Sequence, residues 1–329
     1  MRDLLTLPKA HLHVHLESTV RPETVAALAD AHGIVVPPLP EAFDGFTQFA
    51  AHNGVVRSCL QRPSDFARIA REFCADEAAQ GTRYAEVTFT AAAHGERLGD
   101  PGMPLLAVLE GLAAGQAEYG IEVRVILDHP RRRSLERLRT TLRLAVSHPE
   151  VVAIGVAGEE DHPLTPFADV FREAAEAGVG LVHHAGECCG AASVREALTL
   201  GRADRIGHGF RALEDPSLVA ELRDRAVPLE VCPSSNVALG LAGSLSSHPL
   251  PLLVDAGLVV TLNTDVPSAT GATLTSEYVA VREAFGYDDS AMAAFSAAAV
   301  SASFAAEDTK VRLRKEIDTW MGRDQVNTC

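Results

Sequence analysis

Short apolar runs alternate with longer amphipathic segments along the chain, and the alternation repeats eight times. The runs are rich in β-branched residues and predict strands, whereas the segments between them carry apolar residues at helical spacing. The predicted strands are His11–His15, Tyr84–Thr90, Glu122–Leu127, Val152–Val156, Gly180–His184, Arg205–Gly207, Pro228–Val231 and Val259–Asn263. Helices are predicted at Ser64–Gln80, Leu105–Tyr119, Leu135–Ser147, Pro166–Ala177, Val194–Leu200 and Leu218–Arg225. This α/β pattern favours a closed (β/α)8 TIM barrel over a doubly wound sheet, because no Gly-x-Gly-x-x-Gly follows the first strand.

The connection after the first strand is too long for a single crossover helix. Pro22–His32 predicts one helix, and residues 37–62 predict a further helical insertion with prolines at its start and phenylalanines after them. Two interpretations of this insertion stay open: a surface helix packed on the barrel, or a lid whose residues 43–60 close over the mouth. No linker or low-complexity tract interrupts the chain, so residues 1–329 are expected to form a single domain.

The charge balance argues against a nucleic-acid partner. The chain has 29 Lys and Arg against 44 Asp and Glu, a net charge of −15, whereas binding to a phosphate backbone relies on clustered basic residues. One basic cluster, Arg131-Arg132-Arg133 with Arg137 and Arg139, lies beside Glu136. We interpret it as a solvated helix face.

The cysteines and the apolar segments indicate a cytoplasmic protein. The six cysteines show no Cys-x-x-Cys spacing, and the adjacent Cys188 and Cys189 are expected to be free thiols. The N-terminus lacks the apolar segment of a signal peptide, and the stretch Ala291–Ala306 is too short to span a bilayer. We expect no membrane partner, and the sequence leaves the oligomeric state open.

Histidines and carboxylates gather at the predicted strand ends. His13 and His15 stand two residues apart on the first strand, so both point to the same face. His184, His208 and Asp265 end the fifth, sixth and eighth strands, at the rim where barrel enzymes place their chemistry. A single one of these residues is weak evidence, but four strand ends together predict one site.

The residue types at these ends suit a mononuclear metal centre. Three imidazoles, from His13, His15 and His184, with the carboxylate of Asp265 suit zinc, while iron, cobalt and manganese stay open. A second ion would want a bridging lysine at the end of the fourth strand, and residues 151–158 contain none. Metal binding lowers the pKa of water from about 15.7 toward about 7. Glu187 would then act on the substrate, and His208 or Asp265 would orient the hydroxide or take its proton.

Two further histidines are ambiguous neighbours. By strand alternation, His183 points away from His184 toward the helix layer and is interpreted as structural. The same alternation places His11 on the face of His13 and His15 but deeper in the barrel. It would then either support the site or be a hydrogen-bonded core residue.

Several ordered motifs make the chain resemble the adenosine deaminase family of the amidohydrolase superfamily. They are Leu7-Pro8-Lys9 leading to His13-Val14-His15-Leu16-Glu17, His184-Ala185-Gly186-Glu187, Arg205-Ile206-Gly207-His208-Gly209, Cys232-Pro233-Ser234-Ser235-Asn236, His248-Pro249 and Leu262-Asn263-Thr264-Asp265. The resemblance covers nearly the whole chain. It implies a (β/α)8 barrel, one zinc ion and hydrolytic deamination of an aminopurine ring.

The resemblance also implies a role for each matching residue. His13, His15, His184 and Asp265 would hold zinc, as the residue chemistry already suggests. Glu187 would protonate the ring nitrogen beside the amino-bearing carbon, and His208 would orient the attacking hydroxide, so that ammonia leaves from a tetrahedral intermediate. Gly158 falls where a backbone N–H contacts the purine, and Glu17 falls where a carboxylate contacts the sugar or lies near the pocket in base-specific relatives.

Two departures from the family pattern leave the substrate open. Val266 stands where the family commonly has a second aspartate that contacts the five-membered ring, and Ser18 replaces the usual glycine after Glu17. The expected substrate is adenosine or a related aminopurine nucleoside. Adenine, a modified adenine nucleoside or another amino-heterocycle is the alternative. A barrel that binds a ligand without catalysis is the third hypothesis, and the retained Glu187 and His208 argue against it.

Overall fold

The strands form a barrel with consecutive strands paired in parallel. The computed structural model describes residues 1–40, 43 and 45–322, and of residues 45–47 the backbone alone. In this part of the chain there are eight strands, and each is hydrogen-bonded to the strand that follows it in the sequence. They are β1 (Lys9–His15), β2 (Thr82–Phe89), β3 (Glu122–Pro130), β4 (Val151–Ala157), β5 (Gly180–Ala185), β6 (Arg205–His208), β7 (Leu229–Val231) and β8 (Val260–Leu262). The predicted (β/α)8 TIM barrel is therefore confirmed.

Helices occupy the connections between the strands. In the described residues they are α1 (Pro22–His32), α2 (Gly45–Ser58), α3 (Pro63–Ala79), α4 (Ala91–Leu98), α5 (Met103–Tyr119), α6 (Leu135–Ser147), α7 (Ala168–Glu176), α8 (Ala191–Thr199), α9 (Pro216–Asp224), α10 (Pro233–Ala238), α11 (Leu250–Asp255), α12 (Pro267–Thr270), α13 (Leu274–Phe285), α14 (Asp289–Ala302) and α15 (Glu307–Met321). None is long and apolar enough to cross a membrane, α14 included.

Sequence signals set the bounds of α3, which covers the barrel next to the site. Pro63 occupies the first turn, where its missing N–H costs nothing, and Asp65 accepts hydrogen bonds from the backbone N–H groups of Gln61 and Arg62. Phe66 and Phe73 lie seven residues apart on the buried face. This apolar face packs α3 onto the barrel and fixes the end of the insertion that precedes it.

The barrel closes between β8 and β1 at the rim that carries the histidines. Asp265 donates its backbone N–H to the carbonyl of His13 at 2.9 Å, and its own carbonyl accepts from the backbone N–H of His15 at 3.0 Å. Below them the side-chain oxygen of Asn263 accepts from the backbone N–H groups of Leu12 and His13 at 2.9 and 3.0 Å. Closure of the barrel thus brings Asp265 against both histidines of β1.

A β-bulge in β1 overturns the expectation for His11. His11 is in register with Ala85 of β2 and His15 with Thr88, so four residue steps on β1 match three on β2. The extra residue reverses the alternation, and His11 faces the helix layer, where its Nδ1 lies 3.0 Å from Glu77 Oε1 of α3. His11 therefore does not share the face of His13 and His15.

The insertion after β1 contains α1, α2 and the approach to α3. Phe43 and Phe49 are buried and form a small apolar cluster with Leu239 and Val266, apart from the main core. This cluster joins the insertion to the loops at the ends of β7 and β8. Residues 41, 42 and 44 of the predicted insertion, the Phe46 side chain and Cys329 lie outside the described residues.

Candidate active site

Four imidazoles and one carboxylate converge at the carboxyl ends of the strands. The ring centroid of His13 lies 4.5 Å from that of His184 and 4.8 Å from that of His208, and the His15 and His184 centroids are 5.1 Å apart. Asp265 Oδ1 is 3.5 Å from His13 Nε2 and 3.4 Å from His15 Nε2. The strand ends predicted from the sequence therefore do meet.

The spacing of the donor atoms fits a metal ion. The Nε2 atoms of His15 and His184 face each other at 3.1 Å, and with the two Asp265 distances these separations span 3.1–3.5 Å. Ligands about 2.0–2.1 Å from a tetrahedral zinc ion are about 3.3 Å apart. The buried Nε2 of His13 has no hydrogen-bond partner in the described part of the chain. The donor set therefore suits a cation.

Hydrogen bonds behind the rings leave the inner nitrogens free to coordinate. His13 donates from Nδ1 to Glu230 Oε2 at 2.8 Å, and His184 donates from Nδ1 to the carbonyl of Val156 at 3.1 Å. Each donation places the proton on Nδ1 and the lone pair on Nε2. Burial disfavours a charge on His13, but the neighbouring carboxylates of Asp265 and Glu230 raise its pKa to about 10. The surroundings of His13 thus attract a positive charge.

His208 is held in the opposite tautomer by a chain of hydrogen bonds. The backbone N–H of Leu250 donates to His248 Nδ1 at 3.1 Å, and His248 Nε2 donates to Asn236 Oδ1 at 3.1 Å. Asn236 Nδ2 then donates to His208 Nδ1 at 3.3 Å. His208 Nε2 therefore carries a proton and points toward Glu187 Oε1 at 3.5 Å. A protonated Nε2 cannot coordinate a metal, although its position is within the donor cluster.

Glu187 lies beside this cluster in surroundings that favour the protonated form of its carboxyl group. Burial, followed by the charges of Asp265 and Glu160, raises the pKa of the Glu187 carboxyl well above its usual value. The loop that carries Glu187 is fixed by the Glu160 carboxylate, which accepts from the backbone N–H groups of Gly186, Glu187 and Cys188 at 2.8, 2.8 and 2.6 Å. The group is thus positioned to donate a proton.

One arginine of the predicted solvated helix face proves to be buried. Arg131 is 2% exposed and donates to the carbonyl of His184 at 2.6 Å and to that of Glu160 at 3.1 Å. It supports the loop after β5 from below. The interpretation of the arginine cluster as a solvated face is therefore wrong for Arg131, because its guanidinium satisfies carbonyl groups at the end of the strand.

The residues expected to bind substrate line one cavity of about 560 Å³ that reaches the histidines. Its size lies within the range of about 300–1,000 Å³ typical of small-molecule sites. Gly158 lies on the wall at φ +84° with no atom near the position of a Cβ, so its backbone is open to the cavity. Val266 lines the cavity and also packs in the cluster with Phe43 and Phe49.

Glu17 is a buried carboxylate on the same wall. Its Oε1 accepts from the backbone N–H of Thr90 at 3.2 Å and from His94 Nε2 at 3.2 Å. Burial raises its pKa, but the hydrogen bond from His94 and the charge of Arg57 lower it to about 2. Glu17 therefore offers an anionic acceptor to a ligand in the cavity.

Ser235, Asn236 and His248 belong to motifs that are visible in the sequence, but the sequence pattern alone gives them no role. Ser235 donates to Asp265 Oδ2 at 2.6 Å, and Asn236 and His248 set the tautomer of His208. These residues belong to the Cys-Pro-Ser-Ser-Asn and His-Pro motifs. His183 behaves as predicted: its ring packs against Phe171 of α7 and its Nε2 donates to the carbonyl of Gly201 at 2.9 Å.

Comparison with known proteins places the chain in a family. The adenosine deaminase family model matches residues 8–320. An aminodeoxyfutalosine deaminase of Streptomyces coelicolor is 38% identical, and the alignment covers 95% of this chain and 84% of the relative.

Solved structures agree with this match. The adenine deaminase of Arthrobacter aurescens superposes with a TM-score of 0.90 at 30% identity, over 96% of this chain and 99% of that one. An amidohydrolase of Burkholderia ambifaria with bound zinc superposes with a TM-score of 0.86 at 26% identity, over 97% and 93%. Because the family model spans all but the ends of the chain, this protein belongs to the adenosine deaminase family and is a deaminase-type hydrolase.

Proposed function

We propose that the protein hydrolytically deaminates an aminopurine nucleoside and that His13, His15, His184 and Asp265 hold one zinc ion. The observation that carries this proposal is the buried Glu187, whose Oε1 lies 3.5 Å from His208 Nε2 in the cavity that His15, His184 and Asp265 also line. His208 is left out of the ligand set because its Nε2 carries a proton. The zinc in the Burkholderia ambifaria structure supports the choice of metal.

The surrounding residues divide the proton transfers among them. A divalent ion in this site would lower the pKa of a coordinated water toward about 7. Glu187 gives its proton to the ring nitrogen next to the amino-bearing carbon, and His208 donates a hydrogen bond from Nε2 to the attacking oxygen. Asp265 takes a proton from the water and passes it to the departing amine.

These steps balance. A carbon–oxygen bond forms and the carbon–nitrogen bond to the amino group breaks. One proton of the water leaves with ammonia, and the other restores Glu187. Both carboxyl groups thus return to their starting states after each turnover.

The reaction is tested by metal analysis together with ammonia release. We expect about one zinc ion per chain and ammonia from at least one of adenosine, adenine and aminodeoxyfutalosine, the last being the substrate named for a relative. Glu187→Gln should retain zinc and lose at least about 100-fold in kcat, because an amide cannot supply the proton. Glu173→Gln, on the exposed face of α7 beside Arg139, is the matched control. If the metal-loaded protein binds aminopurines but releases no ammonia, the deaminase proposal is wrong and the chain is a non-catalytic binding protein.

Val266 supports a substrate other than adenosine as a second candidate. Its side chain is buried beside Phe43, Phe49 and Leu239 and offers no hydrogen bond to a ring nitrogen, which then loses a partner. We therefore expect Val266→Asp to raise the turnover of adenosine relative to that of the native substrate. An unchanged ratio in a folded variant would remove Val266 from the basis of selectivity.

The insertion at about residues 37–62 is proposed to act as a lid on a single domain of residues 1–329. Asn53, Arg57 and Ser58 of α2 line the cavity, and Phe49 packs on Val266. Cytoplasmic localisation is proposed from the free thiols of Cys59, Cys74, Cys188, Cys189 and Cys232, which suit a reducing compartment.

A further inference from the structure

Five arginines line the outer part of the catalytic cavity. Arg57 comes from α2, Arg97 from α4, and Arg132, Arg133 and Arg137 from the end of β3 and from α6. They are half-buried or exposed, whereas the histidines and Glu187 at the inner end are mostly buried. This concentration of positive charge runs against the net charge of −15 on the chain.

Carboxylates neutralise these arginines only in part. Arg132 pairs with Glu159 at 3.1 Å, and Arg137 pairs with Glu96. In the described part of the chain, no ion pair involves Arg97 or Arg133. The outer cavity therefore carries a surplus of positive charge, which draws an anion into the cleft.

The guanidinium groups of Arg57 and Arg97 lie directly beyond Glu17. Arg57 Nε is 3.7 Å from Glu17 Oε1. Arg97 Nη2 donates to His94 Nδ1 at 3.0 Å and to the backbone carbonyls of Arg57 and Leu60, and the opposite nitrogen of the His94 ring contacts Glu17. Burial and the charge of Arg57 lower the pKa of Arg97 and also that of Arg137. Arg57, Arg97 and Arg137 line the same cavity, so a bound anion would relieve the repulsion between their like charges.

We propose that the substrate is an aminopurine nucleoside that carries an anionic group beyond its sugar, and that Arg97 and Arg133 bind this group. The proposal rests on the deaminase function proposed above. Arginine presents a planar fork of donors that matches either a carboxylate or a phosphate. Because the cavity is continuous from the histidines to the arginines, one ligand reaches both ends.

The test compares neutral and anionic substrates on the zinc-loaded, full-length protein. Ammonia release is measured for adenine, adenosine, adenosine 5′-monophosphate and adenosine 5′-carboxylic acid, at low and at high ionic strength. We expect kcat/KM for at least one anionic nucleoside to exceed that for adenosine by about 10-fold or more, with a smaller ratio at high salt. The phosphate and carboxylate arms show which of the two groups the arginines accept.

Arginine variants locate the subsite. Arg133→Gln and Arg97→Gln should each lower the ratio of anionic to neutral kcat/KM by about 10-fold. Arg139→Gln, on the same helix as Arg137 but paired with Glu173, should leave the ratio unchanged.

Three outcomes would overturn the proposal. If adenine or adenosine is deaminated and both anionic nucleosides are poorer substrates, the anion subsite is wrong and the deaminase function stands. If the ratio of anionic to neutral kcat/KM stays high in both arginine variants, the assignment of Arg97 and Arg133 as the anion-binding residues is wrong. If no member of the set releases ammonia, and aminodeoxyfutalosine releases none either, the proposed function fails and the substrate class fails with it.

Discussion

The carboxylate of Glu230 provides the sharpest test of how the barrel interior supports the proposed metal centre. Glu230 is fully buried in β7, where Oε2 accepts from His13 Nδ1 at 2.8 Å and Oε1 accepts from Arg205 Nε at 2.6 Å. On the other side of Arg205, Glu86 accepts from the guanidinium at 2.5 Å. Glu230→Gln keeps the shape and an acceptor for His13, but it removes one negative charge from beneath the cation site.

The expected loss follows from these contacts. A hydrogen bond to a charged acceptor is about twice as strong as a neutral one, and changing the partner behind a metal-binding histidine costs about 10–100-fold in metal affinity. We therefore expect Glu230→Gln to weaken zinc binding by about 10–100-fold. Arg205 also loses one of two charged partners, which should lower the free energy of unfolding by about 1.5–3 kcal/mol.

Glu86→Gln is the matched control, because Glu86 contacts Arg205 without contacting His13. Zinc affinity is measured by competition with a chromophoric chelator, and the stability of the metal-free proteins by urea unfolding. Both variants should lose stability, and only Glu230→Gln should lose zinc affinity. Equal zinc affinities in Glu230→Gln and the unmodified protein, or an equal loss in Glu86→Gln, would refute the role assigned to Glu230.

Three further substitutions test the hydrogen bond that sets the tautomer of His208, the close approach of Gly207 to His13, and the contacts of Asp65 at the start of α3. Asn236→Asp replaces the amide that donates to His208 Nδ1, so kcat should fall by about 100-fold at unchanged zinc content; unchanged kcat would contradict the tautomer. Gly207→Ala would place a methyl group 2.7 Å from His13 Cε1, so urea unfolding should show a loss of about 1–3 kcal/mol. Burial raises the pKa of Asp65, but backbone hydrogen bonds and His32 lower it overall. Its stabilising contribution is therefore present at neutral pH and lost as the pH falls below the ordinary value of 3.8. The difference in unfolding free energy between the unmodified protein and Asp65→Asn should shrink in that range, and a difference independent of pH would contradict this.

The site could be predicted from the sequence because a barrel places all its strand ends at one rim. His13, His184 and Asp265 each follow or end an apolar run, so the order of motifs along the chain already implied a cluster in space. The predicted strand bounds differ from the observed ones by one or two residues at most ends and by three at the end of β3, without moving these residues from the rim. Local sequence patterns were enough to predict these residues, because a residue at the end of a barrel strand necessarily lies at the rim.

Other contacts depend on geometry that local patterns do not encode. The bulge in β1 turned His11 to the helix layer, and strict alternation has no signal for an extra residue. Arg131 stands in a run of three arginines, and only the folded chain separates the buried one from its exposed neighbours. For Asn236 the motif was visible, but its role follows from a side chain twelve residues away, His248.

The backbone at the site also departs from ordinary preferences, and this links the chemistry to barrel closure. His208 and Asp265 adopt positive φ values of 63° and 58°, a conformation that costs a non-glycine residue about 1–3 kcal/mol. Asp265 is held there by backbone hydrogen bonds with His13 and His15, and His208 precedes Gly209, whose N–H donates to the carbonyl of Ala185 at 3.0 Å. The hydrogen bonds that join neighbouring strands thus hold both strained residues. The positions of the residues proposed to bind the metal and to transfer protons are therefore set by the same contacts that close the barrel. We expect a change that loosens this closure to weaken metal binding before it affects other properties.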